Sequence, residues 1–174
     1  MNSLLSCALE LQHAAHELMY LGMDGGPIYS DTFCRLNKEV LVKSNSLFSS
    51  KSSDIEEEAN LCLALLMGYN ATIYDYGDKD QKKQSVLDRA YTILEQLPTS
   101  LLKVRLLTYC YGEIYEEALL QEARVIIGQW DKNALTSEQT EIMEELKNIE
   151  ENQYPFEGTP SMGVRFRVKV SDEP

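Results

Sequence analysis

Seven consecutive residues, Leu61-Cys62-Leu63-Ala64-Leu65-Leu66-Met67, are all apolar. The run is too short to span a bilayer, which takes about 20 residues, so protein has to cover it. Leucine, alanine and methionine favour helix, and the Glu and Asn residues flanking the run are not β-branched, so helix is preferred to strand. A helix that is apolar all round needs neighbours all round. The chain is therefore predicted to fold around a central helix that starts at Asp54.

Periodicity elsewhere supplies the neighbours. Leu4, Ala8, Leu11, Ala15 and Leu18 form one stripe on a helix from about Ser3 to Leu21, which Met23-Asp24-Gly25-Gly26-Pro27 breaks. Ser30 and Asp31 offer capping oxygens to a second helix, with Phe33, Leu36, Val40, Ser44 and Leu47 inward and Phe48 beside them. A short polar connector, Ser49 to Ser53, leads to the central helix. The pairs Asp54…Glu57, Asp78…Gln81 and Thr136…Gln139 have the spacing of reciprocal helix caps. Glu56, Glu57 and Glu58 read as a solvated first turn favoured by the helix dipole.

The helix from Asp78 to about Leu97 turns Val86, Ala90, Ile93, Leu94 and Leu97 inward and ends at Pro98. The next, from about Thr99 to Tyr111, holds Leu102, Leu106, Tyr109 and Cys110. Gly112 marks a break before a stretch from Glu113 to Trp130 that carries Ile114, Ala118, Ile126 and Ile127. One continuous helix to Trp130 is the alternative. A last helix, Thr136 to about Glu151, packs through Ile142, Leu146 and Ile149.

The fold class is all-α: a bundle of six or seven helices, forming a single domain over residues 1–153. An extended or disordered tail follows over 154–174. Within it Val164-Arg165-Phe166-Arg167-Val168-Lys169-Val170 alternates apolar with basic, the spacing of a strand at 164–170. With no second strand to pair with, disorder or loose docking is preferred to strand addition on another protein's sheet.

Charge narrows the function. The formal net charge of the 174 residues is −12 and the pI about 4.6. Such a chain repels nucleic-acid phosphates and anionic lipid, and Arg165, Arg167 and Lys169 are too few to reverse that. The start, Met1-Asn2-Ser3, lacks a basic signal-peptide region, which points to the cytoplasm.

Chemistry is sparse. No two of Cys7, Cys34, Cys62 and Cys110 lie closer than 27 positions, which rejects a zinc knuckle or a redox pair, and each reads as a small hydrophobe in a helix. Glu10 and His13 have half the spacing of a di-iron carboxylate site, but no third histidine exists to complete one. His16 falls on the flank of the first stripe near Leu9 and Tyr20. There is no nucleophile elbow and no phosphate-binding glycine loop. No catalytic residue, metal or cofactor is expected, and the protein is not read as an enzyme.

Ten tyrosines remain, clustered as Tyr69, Tyr74 and Tyr76 and as Tyr109, Tyr111 and Tyr115. Helix packing explains them slightly better than an interface does. The acidic residues are more telling. Residues 113–151 carry −8 of the net −12. A solvated helical face accounts for this blandly; a surface that steers a basic partner accounts for it sharply.

Several segments together resemble one family. They are Ala15-His16-Glu17-Leu18-Met19-Tyr20-Leu21-Gly22, Pro27-Ile28-Tyr29-Ser30-Asp31, Leu36-Asn37-Lys38-Glu39-Val40 and Val86-Leu87-Asp88-Arg89. To these add Leu107-Thr108-Tyr109-Cys110-Tyr111-Gly112-Glu113, Glu150-Glu151-Asn152 and Tyr154-Pro155. The most specific stretch runs from Glu56-Glu57-Glu58 through the apolar run to Gly68-Tyr69-Asn70-Ala71-Thr72-Ile73-Tyr74-Asp75. In these words the chain resembles the UpxZ family over about residues 1–155.

The resemblance implies a regulator without catalysis. UpxZ-like proteins oppose UpxY antiterminators, which resemble NusG and keep RNA polymerase reading through the leaders of capsular polysaccharide loci. The expected partner is a non-cognate antiterminator, free or within the elongation complex. No contact residues come with the resemblance. On chemistry alone Glu113, Glu116 and Glu117 are assigned to partner binding, with Tyr74, Asp75 and Asp78 as further contacts. The alternative is a helical adaptor or homodimerising domain with no role at the elongation complex.

Overall fold

A computed structural model describes residues 2–73 and 77–152. Among these are seven α-helices and no strand: α1 (Leu4–Met19), α2 (Ser30–Leu47), α3 (Ile55–Ala71), α4 (Lys79–Leu94), α5 (Leu101–Ile114), α6 (Glu117–Ile127) and α7 (Ser137–Glu151). The all-α class is as expected, and the helix count is seven. The strand proposed at 164–170 lies outside the described residues, as do Tyr74, Asp75 and Tyr76. The chain divides into two compact units, one ending at Leu97 and the other beginning at Pro98.

In the first unit α3 packs against α1, α2 and α4, and every residue from Glu58 to Ala71 is buried. The predicted stripes face inward: Ala8, Leu11, Ala15 and Leu18 on α1, and Leu36, Val40, Ser44 and Leu47 on α2. A close approach occurs at Gly68, where a Cβ would fall on Ser44 Oγ and within 3.3 Å of Leu11 Cδ1. The Ser44 hydroxyl is held there by donating to Val40 O at 2.8 Å. Gln12 Nε2 donates to Asn60 O and Asn60 Oδ1, at 3.0 and 3.1 Å, and so ties α1 to α3.

The reading of Glu56–Glu58 as a solvated run is corrected at Glu58, which is buried. Its Oε1 accepts from Arg89 Nε at 2.8 Å and pairs with the same guanidinium's second nitrogen at 2.7 Å. Its Oε2 accepts from Ser52 N at 2.8 Å. Arg89 also donates to Phe48 O at 3.3 Å and Ser50 O at 2.9 Å. One guanidinium thus fastens α4, α3 and the connector from α2. The sequence pattern missed this because Glu58 lies on the inward side of a first turn in which Glu56 is exposed and Glu57 half-buried.

Three caps differ in kind. Thr136 and Gln139 form the full reciprocal box. Asp54 accepts from Glu57 N at 2.8 Å, but the return bond is relayed. Ser52 Oγ accepts from Asp54 N and donates to Glu57 Oε2. Asp78 makes no side-chain cap, because its backbone (φ −112°, ψ 1°) has left the extended region from which a cap reaches; its carboxylate lies 3.3 Å from Lys82 Nζ instead. Ser30 and Asp31 are likewise not caps: α2 begins at Ser30, and Tyr29 is the capping position with no side-chain bond.

In the second unit α5 packs against α6 and α7. The break expected at Gly112 falls instead at Tyr115, since α5 runs through Gly112 to Ile114. Tyr115 adopts the left-handed conformation (φ 52°, ψ 37°) with its N–H donating to Tyr111 O at 2.8 Å. Its ring stands edge-on to that of Tyr111 at 5.6 Å. The turn resets the helical phase, which is why Ile114 and Ala118 are exposed while Leu119, Leu120, Ala123 and Ile126 form the buried stripe of α6. Lys103 reaches Glu122 at 2.7 Å, and Arg124 pairs with Glu150.

Two stability predictions follow from this packing. Arg89→Met leaves the Glu58 carboxylate buried and unpaired and is expected to cost about 3–5 kcal/mol in urea denaturation. Glu58→Gln combined with Arg89→Met should lose less than the sum of the single changes. Gly68→Ala is expected to cost about 1–3 kcal/mol, even though alanine gains roughly 1 kcal/mol over glycine in a helix. Adding Ser44→Ala should restore part of that loss. A Gly68→Ala protein with an unchanged melting temperature would contradict the close approach of α3 to α2.

Candidate functional site

The groups that could do covalent chemistry are poorly placed for it. Cys62 is buried, and that burial pushes its thiol up from 9.0 to about 12, with Arg89 pulling the other way and Glu58 adding to the rise. A thiol held protonated is a weak nucleophile. Cys110 is also buried and Cys7 partly so, whereas Cys34 is exposed. That corrects the expectation that all four serve as small core hydrophobes: Cys34 sits on the outer side of α2, two residues before the buried Leu36. His16 is half-buried and stacks on Tyr20 with ring centroids 4.4 Å apart, as its position on the stripe's flank suggested. Exposed His13 and Glu10 line an open groove on α1, where Glu10 faces Lys43 at 3.6 Å. Among the described residues no three His, Cys, Asp or Glu side chains converge as a metal site requires. No helix among them is long and apolar enough to cross a membrane.

The tyrosines are divided. Tyr69, Tyr109 and Tyr111 are buried. Tyr69 donates its hydroxyl to Asn45 Oδ1 at 2.9 Å, and Tyr109 donates to Glu145 Oε1 at 3.3 Å. These are packing residues with satisfied polar ends.

The acidic candidates gather at one corner. Glu113 lies in the last turn of α5, Glu116 is the capping residue of α6, and Glu117 opens α6. The left-handed turn at Tyr115 separates them, so three carboxylates occupy the two ends that meet there. Glu116 and Glu117 are exposed and Glu113 is half-exposed. Both charges at the start of α6 suit its dipole, while Glu113 sits at the negative end of α5. Glu117 accepts from Gln121 Nε2 at 2.6 Å. Elsewhere in the acidic region the charge is partly neutralised, since Glu122, Glu150 and Glu151 pair with Lys103, Arg124 and Lys147.

Asp78 belongs to the other unit, at the start of α4 beside Lys82. Tyr74 and Asp75 lie outside the described residues. The approach to them is nonetheless defined. Asn37 Oδ1 accepts from Ile73 N at 2.8 Å and its Nδ2 donates to Ile73 O at 3.2 Å. Lys79 Nζ donates to Thr72 O at 2.6 Å. Asn37 thus satisfies the whole backbone of Ile73 while the Ile73 side chain stays 66% exposed. Sequence reasoning missed this clamp because its halves lie 36 positions apart, and neither periodicity nor capping rules link them.

The thiols carry a direct prediction. At pH 8 a water-soluble maleimide should label Cys34 first and reach Cys62 and Cys110 only after unfolding, as read by mass spectrometry. The folded chain keeps the Cys62 proton up to about pH 12, and the unfolded thiol releases it near 9.0. Stability from this group is therefore present below pH 9 and lost as pH rises toward 12. The stability lead of the parent over Cys62→Ala should shrink across that window.

Two comparisons with known proteins match the chain. Residues 8–112 match the model of the UpxZ family of transcription anti-terminator antagonists. The crystal structure of a transcription anti-terminator antagonist UpxZ from Bacteroides uniformis is 67% identical and superposes with a TM-score of 0.83. That alignment covers 91% of this chain and 99% of the other. None of the curated proteins matches.

Proposed function

The chain belongs to the UpxZ family of transcription anti-terminator antagonists, and from that premise we propose that it inhibits non-cognate UpxY antiterminators of the NusG-like type. Expression of one capsular polysaccharide locus then silences the others. The protein acts in the cytoplasm by binding, with no bond made or broken, on an antiterminator that is free or engaged with the elongating polymerase.

The observation that carries this reading is the exposed acidic corner of α5 and α6 within a region that holds −8 of the net −12. Proteins that touch nucleic acid present basic surfaces, and a concentrated negative field raises the encounter rate with such a surface. On the second unit Glu113, Glu116 and Glu117 are the assigned partner contacts, and on the first unit Tyr74, Asp75 and Asp78 are assigned separately. Exposed acids contribute modestly to folding, so a folded variant with them reversed can be read for binding.

Reconstituted transcription through a capsule leader tests the proposal. Added protein should abolish read-through driven by a non-cognate antiterminator and leave the cognate one active. The triple variant Glu113→Lys, Glu116→Lys, Glu117→Lys should stay folded, with a loss of about 1–2 kcal/mol from the reversed charges at the start of α6, and bind at least about tenfold more weakly at low salt, with a flatter salt dependence. Equal suppression of cognate and non-cognate read-through would overturn the locus specificity. Unchanged binding and salt dependence in the variant would remove the acidic corner from the interface.

A further inference from the structure

The outer face of α1 is not all polar. Leu5 and Leu9, one turn apart, are 37% and 48% exposed. With Ala14 they form the apolar floor of an open groove of about 700 Å³ between α1 and α2. From Leu5 to Glu17 the groove runs along twelve residues of α1, roughly 18 Å at 1.5 Å per residue, the length of about three turns of a second helix. Its rim is acidic. Glu10 and Glu39 share Lys43 at 3.6 and 4.0 Å, and Glu39 also meets Arg35, which is not among the groove's lining residues, at 3.9 Å. Glu17, exposed at the far end, has no ion pair among the described residues.

We propose that this groove is a second docking site, and that it takes a basic amphipathic helix of the antiterminator partner. The occupant places apolar side chains one turn apart on Leu5 and Leu9 and sets a Lys or Arg against Glu17. This is the helix-in-groove mode, in which apolar anchors give affinity and flanking charges fix orientation. Charge complementarity selects the occupant. The lining carries three carboxylates against one lysine, so a second copy of this acidic chain is a poor fit and a cationic helix a good one. The identity of the partner rests on the function proposed above; the groove does not depend on the acidic corner.

Calorimetric titration of the full chain with a purified non-cognate antiterminator tests the groove. Leu5→Glu with Leu9→Glu alters only exposed side chains and should preserve the melting temperature while weakening binding about tenfold or more. Glu17→Lys should weaken it about threefold and reduce its salt dependence. If the double variant binds as the parent does, the groove is not a docking site, and the antagonist reading survives. If the parent itself fails to bind any antiterminator, both fall together. Sedimentation supplies the remaining outcome. Should the double variant abolish a dimer of the parent while antiterminator affinity stays unchanged, the occupant is a second copy and the proposal is overturned.

Discussion

Burying α3 on every side obliges its neighbours to satisfy whatever polarity it carries. Each does so with one side chain. Arg89 on α4 meets Glu58, Gln12 on α1 meets Asn60, and Asn45 on α2 accepts from Tyr69. Apolar packing alone lets helices slide by a turn at little cost, whereas a buried carboxylate tolerates only the register that returns its partner. The three ties therefore fix where α1, α2 and α4 sit along α3, and the gap left at Gly68 fixes how near α2 comes. Asn70 is the exception. It is buried, and neither of its amide atoms has a hydrogen-bond partner among the described residues.

The Glu58–Arg89 pair does more than join two helices. By gathering Phe48 O, Ser50 O and Ser52 N, it also supplies partners for backbone groups in a connector that forms no helix of its own. Ser52 then passes the arrangement on to the cap of α3. A turn, a helix start and an interhelical contact thus depend on one guanidinium.

Charge follows a different logic in the second unit. Acids that meet lysine or arginine cross-link helices: Glu122 ties α6 to α5, and Glu150 ties α7 to α6. At the corner of α5 and α6, Glu116 and Glu117 are exposed and Glu113 is half-exposed, on a turn where the Tyr111 and Tyr115 rings meet edge-on.

The apolar run at Leu61–Met67, the stripes of α1 and α2 and the cap at Thr136 were legible in the residues alone, because each depends on neighbours within a few positions. So were the class of the fold, the family and the location of the negative charge. Glu58, Asn37 and Tyr115 were not. Glu58 looks like its acidic neighbours until Arg89, 31 positions later, closes on it. Asn37 looks like any helix-surface amide until the end of α3 returns to it. Tyr115 takes the left-handed turn that Gly112 seemed made for, because Tyr111 holds its ring and its N–H. Local pattern determines which segments become helices and which faces are apolar, since both follow from short-range sterics and transfer free energy. Which polar groups meet inside, and where a helix stops when a packed partner overrides its glycine, is decided only once distant segments share the same space.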